Sequence, residues 1–193
     1  MAIKKVIRMG HPTLREVAKE MSVEEIKSDE TKQLIKDMMD TMEEEQGIGI
    51  AAPQINVSKQ ATIIGIPNDN ERYPDAPEYD LIIVFNPKVT VLDEELQGFW
   101  EGCLSVPGLR GFVKRPRKVK VNFLDIEGNP QEIIAEDFIA TVFQHEIDHL
   151  FGTLYVDRVE DKMLSYNEEL EEFVEDDEDD FEEDFEKDSE DEI

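Results

Sequence analysis

Cysteine is nearly absent from this chain: Cys103 stands alone in 193 residues. One thiol cannot close an intramolecular disulfide, so packing must hold the fold, and the usage suits a reducing cytoplasm. Histidine is almost as scarce, with three, and only 20 Lys and Arg stand against 48 Asp and Glu. Phosphate binding needs basic groups, so no direct nucleic-acid partner is expected. No apolar run approaches the roughly 18 residues of a membrane span, and no membrane association is expected. The opening MAIKKVIRMG has neither an apolar stretch nor a small-residue cleavage site, so no secretory signal is read there.

The acid is unevenly spread. Glu168 to Ile193 holds 18 acidic residues and one Lys, leaving 30 acids against 19 bases in residues 1–167. Residues 1–167 therefore read as one catalytic-sized domain, and 168–193 as an acidic low-complexity tail. Like charge at that density resists compaction, so the tail is expected to be disordered. Its phenylalanines, Phe173, Phe181 and Phe185, leave room for a second reading, an arm that binds basic proteins or the ribosome.

Within the body, Ser28 is placed to cap a helix over about 29–45, with Leu34, Ile35, Met38, Met39 and Met42 at helical spacing. ATIIGI (61–66) and LIIVFNPKVTVL (81–92) read as strands, joined by the loop PNDNERYPDAPEYD (67–80). VKVNFLD (119–125), the turn EGNP (127–130) and QEIIAE (131–136) form a hairpin pattern. A helix should follow from Ala135–Asp137 to Leu150, with Gly152 just past its end. The order helix, strands, helix predicts an α+β fold, with antiparallel sheets packed around that last helix.

That helix carries QHEIDHL (144–150). His145 and His149 are four apart and share a face, so both can ligate one ion, with Glu146 on the flank as a base. The bland alternative is a pair of satisfied core histidines. A catalytic site usually takes three protein ligands. The pattern H-E-x-x-H-x-x-G-x-x-H is matched through Gly152 but ends in Tyr155 where a histidine is required. A downstream Glu, Glu168 or Glu169, would make an HExxH-type zinc metallopeptidase, although an acid-rich tail supplies such a residue by accident. Cys103 in WEGCLSVPG (100–108) is the third source. A lone Cys is more often a packed apolar group, but Gly102, Ser105, Pro107 and Gly108 mark an irregular segment around this one.

Three segments in this order, GIGIAAPQ (47–54), EGCLS (101–105) and QHEIDH (144–149), resemble the signature motifs of the peptide deformylases. The resemblance extends over roughly residues 3–160, with GHPTLR (10–15), VFNPKV (84–89) and VPGLRGFVKRP (106–116). It implies a cytoplasmic, bacterial hydrolase that removes the formyl group from the formyl-methionine of new polypeptides and releases formate. Cys103, His145 and His149 would then hold one divalent metal ion, Fe2+ above all, with Zn2+, Ni2+ or Co2+ also compatible with thiolate and imidazole. Glu146 would move the proton, while the Gln54 amide and the Leu104 N–H would steady the oxyanion. Arg110 would contact the substrate backbone. Ile48, Phe138, Thr141 and Val142 would line a methionine pocket, the last three lying on the His145 face of the helix. Gly49 and Gly102 expose backbone on which an extended peptide can pair. Two positions depart from the family pattern: Asn56 where many members carry Gly, and Phe151 where a polar residue is common.

Overall fold

The computed structural model describes residues 3–67, 76–160 and 162–173. The loop expected over 67–80 therefore lies largely outside the described residues, as do Phe181 and Phe185. Helices α1 (Val23–Ile26) and α2 (Asp29–Glu44) are capped by Ser22 and Ser28. Each serine hydroxyl accepts from a backbone N–H in the first turn, and Glu25 completes a capping box by accepting from the Ser22 N–H. Strands β1 (Gly49–Ala51), β2 (Ala61–Ile66), β3 (Tyr79–Cys103), β4 (Val106–Leu124) and β5 (Pro130–Glu136) follow, each antiparallel to the next. After α3 (Asp137–Leu150), the short β6 (Leu164–Tyr166) pairs with β4, and α4 (Asn167–Phe173) lies against both.

The several sheets expected from sequence are one continuous six-stranded sheet. Bulges along the β3–β4 pairing, near Phe85, Val91 and Asp93, let the two long strands bend instead of ending and restarting. The irregular segment expected around Cys103 is the tip of this hairpin. β3 ends at Cys103, β4 begins at Val106, and Gly108 sits at φ +76°. The boundary at 167/168 falls in the first turn of α4, so the first residues of the acidic segment are helical.

Both faces of β2 are covered, which explains why ATIIGI is almost wholly apolar: all six residues are buried, and its one polar side chain, Thr62, donates to Ile50 O. Ile64 and Ile66 turn toward Ala140, Phe143 and Ile147 of α3. Ala61 and Ile63 turn the other way, toward Ile35, Met38 and Met42 of α2. A smaller cluster of Cys103, Val106, Val113, Leu154 and Tyr155 holds the hairpin tip against the segment after α3. No helix among the described residues is long and apolar enough to cross a membrane.

Candidate metal centre

Three pieces of chain meet between the hairpin tip and α3. The ligand atoms of Cys103, His145 and His149 all lie within 4.8 Å of one another, with Cys103 Sγ 3.3 Å from His149 Nε2. Among the described residues this is the grouping able to hold a metal ion; Glu168 and Glu169, on α4, are not part of it. Tyr155, standing where a third histidine would complete the other motif, stacks on the His145 ring at 6.0 Å and donates its hydroxyl to Leu109 O.

The donor set fits a divalent transition metal. Burial would push the Cys103 thiol up, but the charge of His149 and hydrogen bonds from both histidines hold it well below its ordinary value, toward the thiolate that binds metal. His145 Nδ1 lies 2.7 Å from Glu101 Oε2, which fixes the ring and leaves Nε2 facing the site. Glu101 is itself fully engaged: Arg115 reaches it through Nε (2.5 Å) and Nη2 (2.9 Å) and reaches Asp148 through Nη1 (2.8 Å). Burial works to raise the Glu101 carboxyl, yet His145 and Arg115 bring it down to about 2. Arg158 closes the chain with two bonds to Asp148. Glu101 stands within the quoted EGCLS, but sequence reasoning missed its role. The signal was the pair Glu101 and Arg115: the β3–β4 register sets Arg115 opposite Gln97, on the face that also carries Glu101, and the long guanidinium side chain reaches along that face to the carboxylate.

Gln54 enters from a 3-10 turn over Ala52–Ile55. Its Oε1 accepts from Ala51 N–H at 2.8 Å, which aims Nε2 at Cys103 Sγ (3.5 Å) and Ser105 Oγ (3.3 Å). The turn ends at Asn56, with φ +64°, a left-handed conformation that Gly adopts freely and Asn tolerates. That accounts for the first departure from the family pattern. Phe151, the second, is exposed just beyond α3, away from the pocket.

Glu146 is buried against β1 and β2. Thr62 Oγ1 lies 3.5 Å from its Oε2, and burial raises its carboxyl above the usual range. Gly49 is required there, since a Cβ at that position would fall 2.5 Å from Glu146 Oε1. A single pocket gathers Ile48, Gly49, Gln54, Gly102, Cys103, Leu104, Phe138, Thr141, Val142, His145 and Glu146. His149 lies beneath it, and Arg110 lies over Gly102 at its rim. Gly47, Phe99 and Trp100 also line the pocket and were not anticipated.

Residues 3–164 match the polypeptide deformylase family. The chain belongs to that family. It is 46% identical over 172 residues to a peptide deformylase of Leptospira biflexa, covering 89% of this chain and 96% of the relative. Peptide deformylase 1 of Bordetella pertussis is 46% identical over 159 residues, covering 82% and 89%. Among solved structures, a class I type b peptide deformylase from Acinetobacter baumannii bound to Met-Ala-Ser superposes with a TM-score of 0.78 at 40% identity, over 82% of this chain and 99% of that one. The actinonin-bound form of that protein gives 0.75 at 36%, over 83% and 100%. Membership makes the deformylase reading of the three motifs the governing one, and the metallopeptidase alternative is not favoured.

Proposed function

We propose that this protein is a metal-dependent peptide deformylase acting on the formyl-methionine that begins new polypeptides. The observation that carries the reading is the convergence of Gln54, Cys103, His145 and Glu146 on one pocket, with His149 Nε2 3.3 Å from Cys103 Sγ and within the same ligand cluster. Cys103, His145 and His149 would hold the ion, ferrous iron by family resemblance, with zinc, nickel or cobalt as chemically acceptable occupants. When bound, such an ion supplies Lewis acidity, lowering the pKa of a water toward about 7.

The chain's own groups do the rest. Glu146, whose carboxyl burial raises and so makes a stronger base, takes the proton of the attacking water and returns it to the departing amine nitrogen. The Gln54 Nε2 and the Leu104 N–H meet the charge that builds on the formyl oxygen. Ala51 holds Gln54 in that orientation before substrate arrives, so no reorganisation is needed in the reaction. Ile48, Phe138, Thr141 and Val142 receive the methionine side chain. Gln97 donates to Thr141 Oγ1 at 3.2 Å and so fixes that wall. Gly49 and Gly102 offer backbone to an extended peptide, and Arg110 steadies it from the rim. The Met-Ala-Ser tripeptide bound by the Acinetobacter enzyme supports a peptide of this kind as ligand.

The site belongs to a cytoplasmic, bacterial setting in which nascent chains are formylated, and the acidic tail reaches a basic protein or the ribosome. The decisive experiment is formate release from formyl-Met-Ala-Ser by protein loaded with Fe2+ without oxygen. Release is expected, and Cys103→Ser should abolish both release and metal retention. Wild-type protein that retains metal yet liberates no formate overturns the proposal. A Cys103→Ser variant that keeps its metal would favour the Glu168 or Glu169 peptidase reading instead.

A further inference from the structure

The last residues of β3 present two different faces. Phe99 and Glu101 turn toward α3: the Phe99 ring meets Phe138 at 5.4 Å, and Glu101 bonds His145. Strand alternation therefore puts Gly98, Trp100 and Gly102 on the opposite face. There the side chains of β4 lie across the two glycines. A Cβ at Gly98 would sit 2.1 Å from Phe112 Cζ, and one at Gly102 would sit 3.1 Å from both Cδ and Nε of Arg110. Trp100, between them, meets the Phe112 ring edge-on at 5.8 Å. The result is a strip of ring, ring and guanidinium, half-buried, running alongside the pocket that Trp100 and Gly102 help to line.

Over Leu96–Cys103, β3 pairs with β4 along one edge, and its other edge has no strand partner among the described residues. An extended peptide that adds to that edge sends successive side chains to opposite faces. The side chain entering the pocket points to the α3 side, so the next one falls beside Trp100. We propose that the strip of Phe112, Trp100 and Arg110 reads the second residue of the substrate and favours an aromatic one. This rests on the deformylase reading and narrows its substrate class. Cross-strand and diagonal neighbours lie about 4.5–8 Å apart, within reach of an aromatic side chain, and a guanidinium adds attraction for its ring face. A contact of this kind corresponds to about a three- to tenfold preference.

The test compares kcat/KM for formyl-Met-Phe-Ser and formyl-Met-Ala-Ser in metal-loaded protein, taken as a ratio within each protein so that any general loss of activity cancels. Wild type should favour the Phe substrate about three- to tenfold. Trp100→Leu, which keeps apolar bulk and removes the ring, should bring the ratio near one, and Trp100→Phe should retain most of it. A wild-type ratio near one, or a ratio that Trp100→Leu leaves unchanged, overturns the proposal. If neither substrate yields formate, the deformylase reading itself has failed; equal turnover of both removes only the strip's role.

Discussion

Replacing Glu101 by Ala tests the reasoning about the buried charge chain most severely. The carboxylate is 5% exposed and makes three close contacts, two with Arg115 and one with His145. Its removal leaves Arg115, 2% exposed, with Asp148 as its remaining ion-pair partner among the described residues. Stranding a buried charge costs about 3–5 kcal/mol, and because Asp148 persists the lower end applies, about 3 kcal/mol. His145 loses its orienting acceptor at the same time, which corresponds to a loss of about 10- to 100-fold in metal affinity. Urea denaturation of metal-free protein reads the first quantity, and the rate of metal transfer to a chelator reads the second. The double variant Glu101→Ala with Arg115→Met separates them. It should recover most of the stability, because no unpaired guanidinium remains, while metal transfer stays fast. A Glu101→Ala protein with wild-type stability and wild-type metal retention would refute the account of this network, and a double variant no more stable than the single one would refute the charge argument.

Three further outcomes are expected. Gly49→Ala should lower turnover by about 10- to 100-fold, because the new methyl would fall within 2.7 Å of Glu146 Cγ, Cδ and Oε1 and displace the buried carboxylate; a normal kcat would remove Gly49's role. Gln54→Ala should cost about 10²–10³ in kcat with KM nearly unchanged, read from initial rates of formate release. Asp37, paired with Lys4 and accepting from Gln33, has its carboxyl lowered: burial opposes the shift, and those two partners outweigh it. Its stabilisation is then full above the ordinary value of 3.8 and fades as pH falls through the lowered one, so Asp37→Asn should narrow its stability deficit in acid and leave it intact at neutral pH.

What could be read from the sequence was local. The spacing of His145, Glu146 and His149 is a property of one helix, and α3 runs from Asp137 to Leu150, close to the span that periodicity predicts. The caps at Ser28 and Gly152 were equally legible, because cap chemistry involves neighbours in the chain. Three features were not. The run Val91 to Leu96 is exposed and rich in acid, so nothing in its pattern announces that β3 continues through it to Cys103; bulged pairing with β4 carries it across. Glu101 had no role in the local reading, since a buried carboxylate shows itself only with its partner, and Arg115, set opposite Gln97 by the hairpin register, reaches it along the same face. Trp100 on the rim escaped for the same reason: its surroundings are built by Phe112 and Arg110 of the facing strand.

The order of the sheet bears on how the chain reaches this state. Strands β1 to β5 neighbour one another in the sequence in which they are made, so most of the sheet can zip from short loops, which favours rapid folding. The contacts that close the pocket are of another kind: Gln54 meets Cys103 across 49 positions, and Thr62 meets Glu146 across 84. Their loop entropy has to be overcome before they contribute anything. Pairing of the strands and acquisition of a working centre are therefore separable in time, and a chain whose synthesis has passed β5 but not α3 has every strand from β1 to β5 available to pair and none of its proton-transfer machinery.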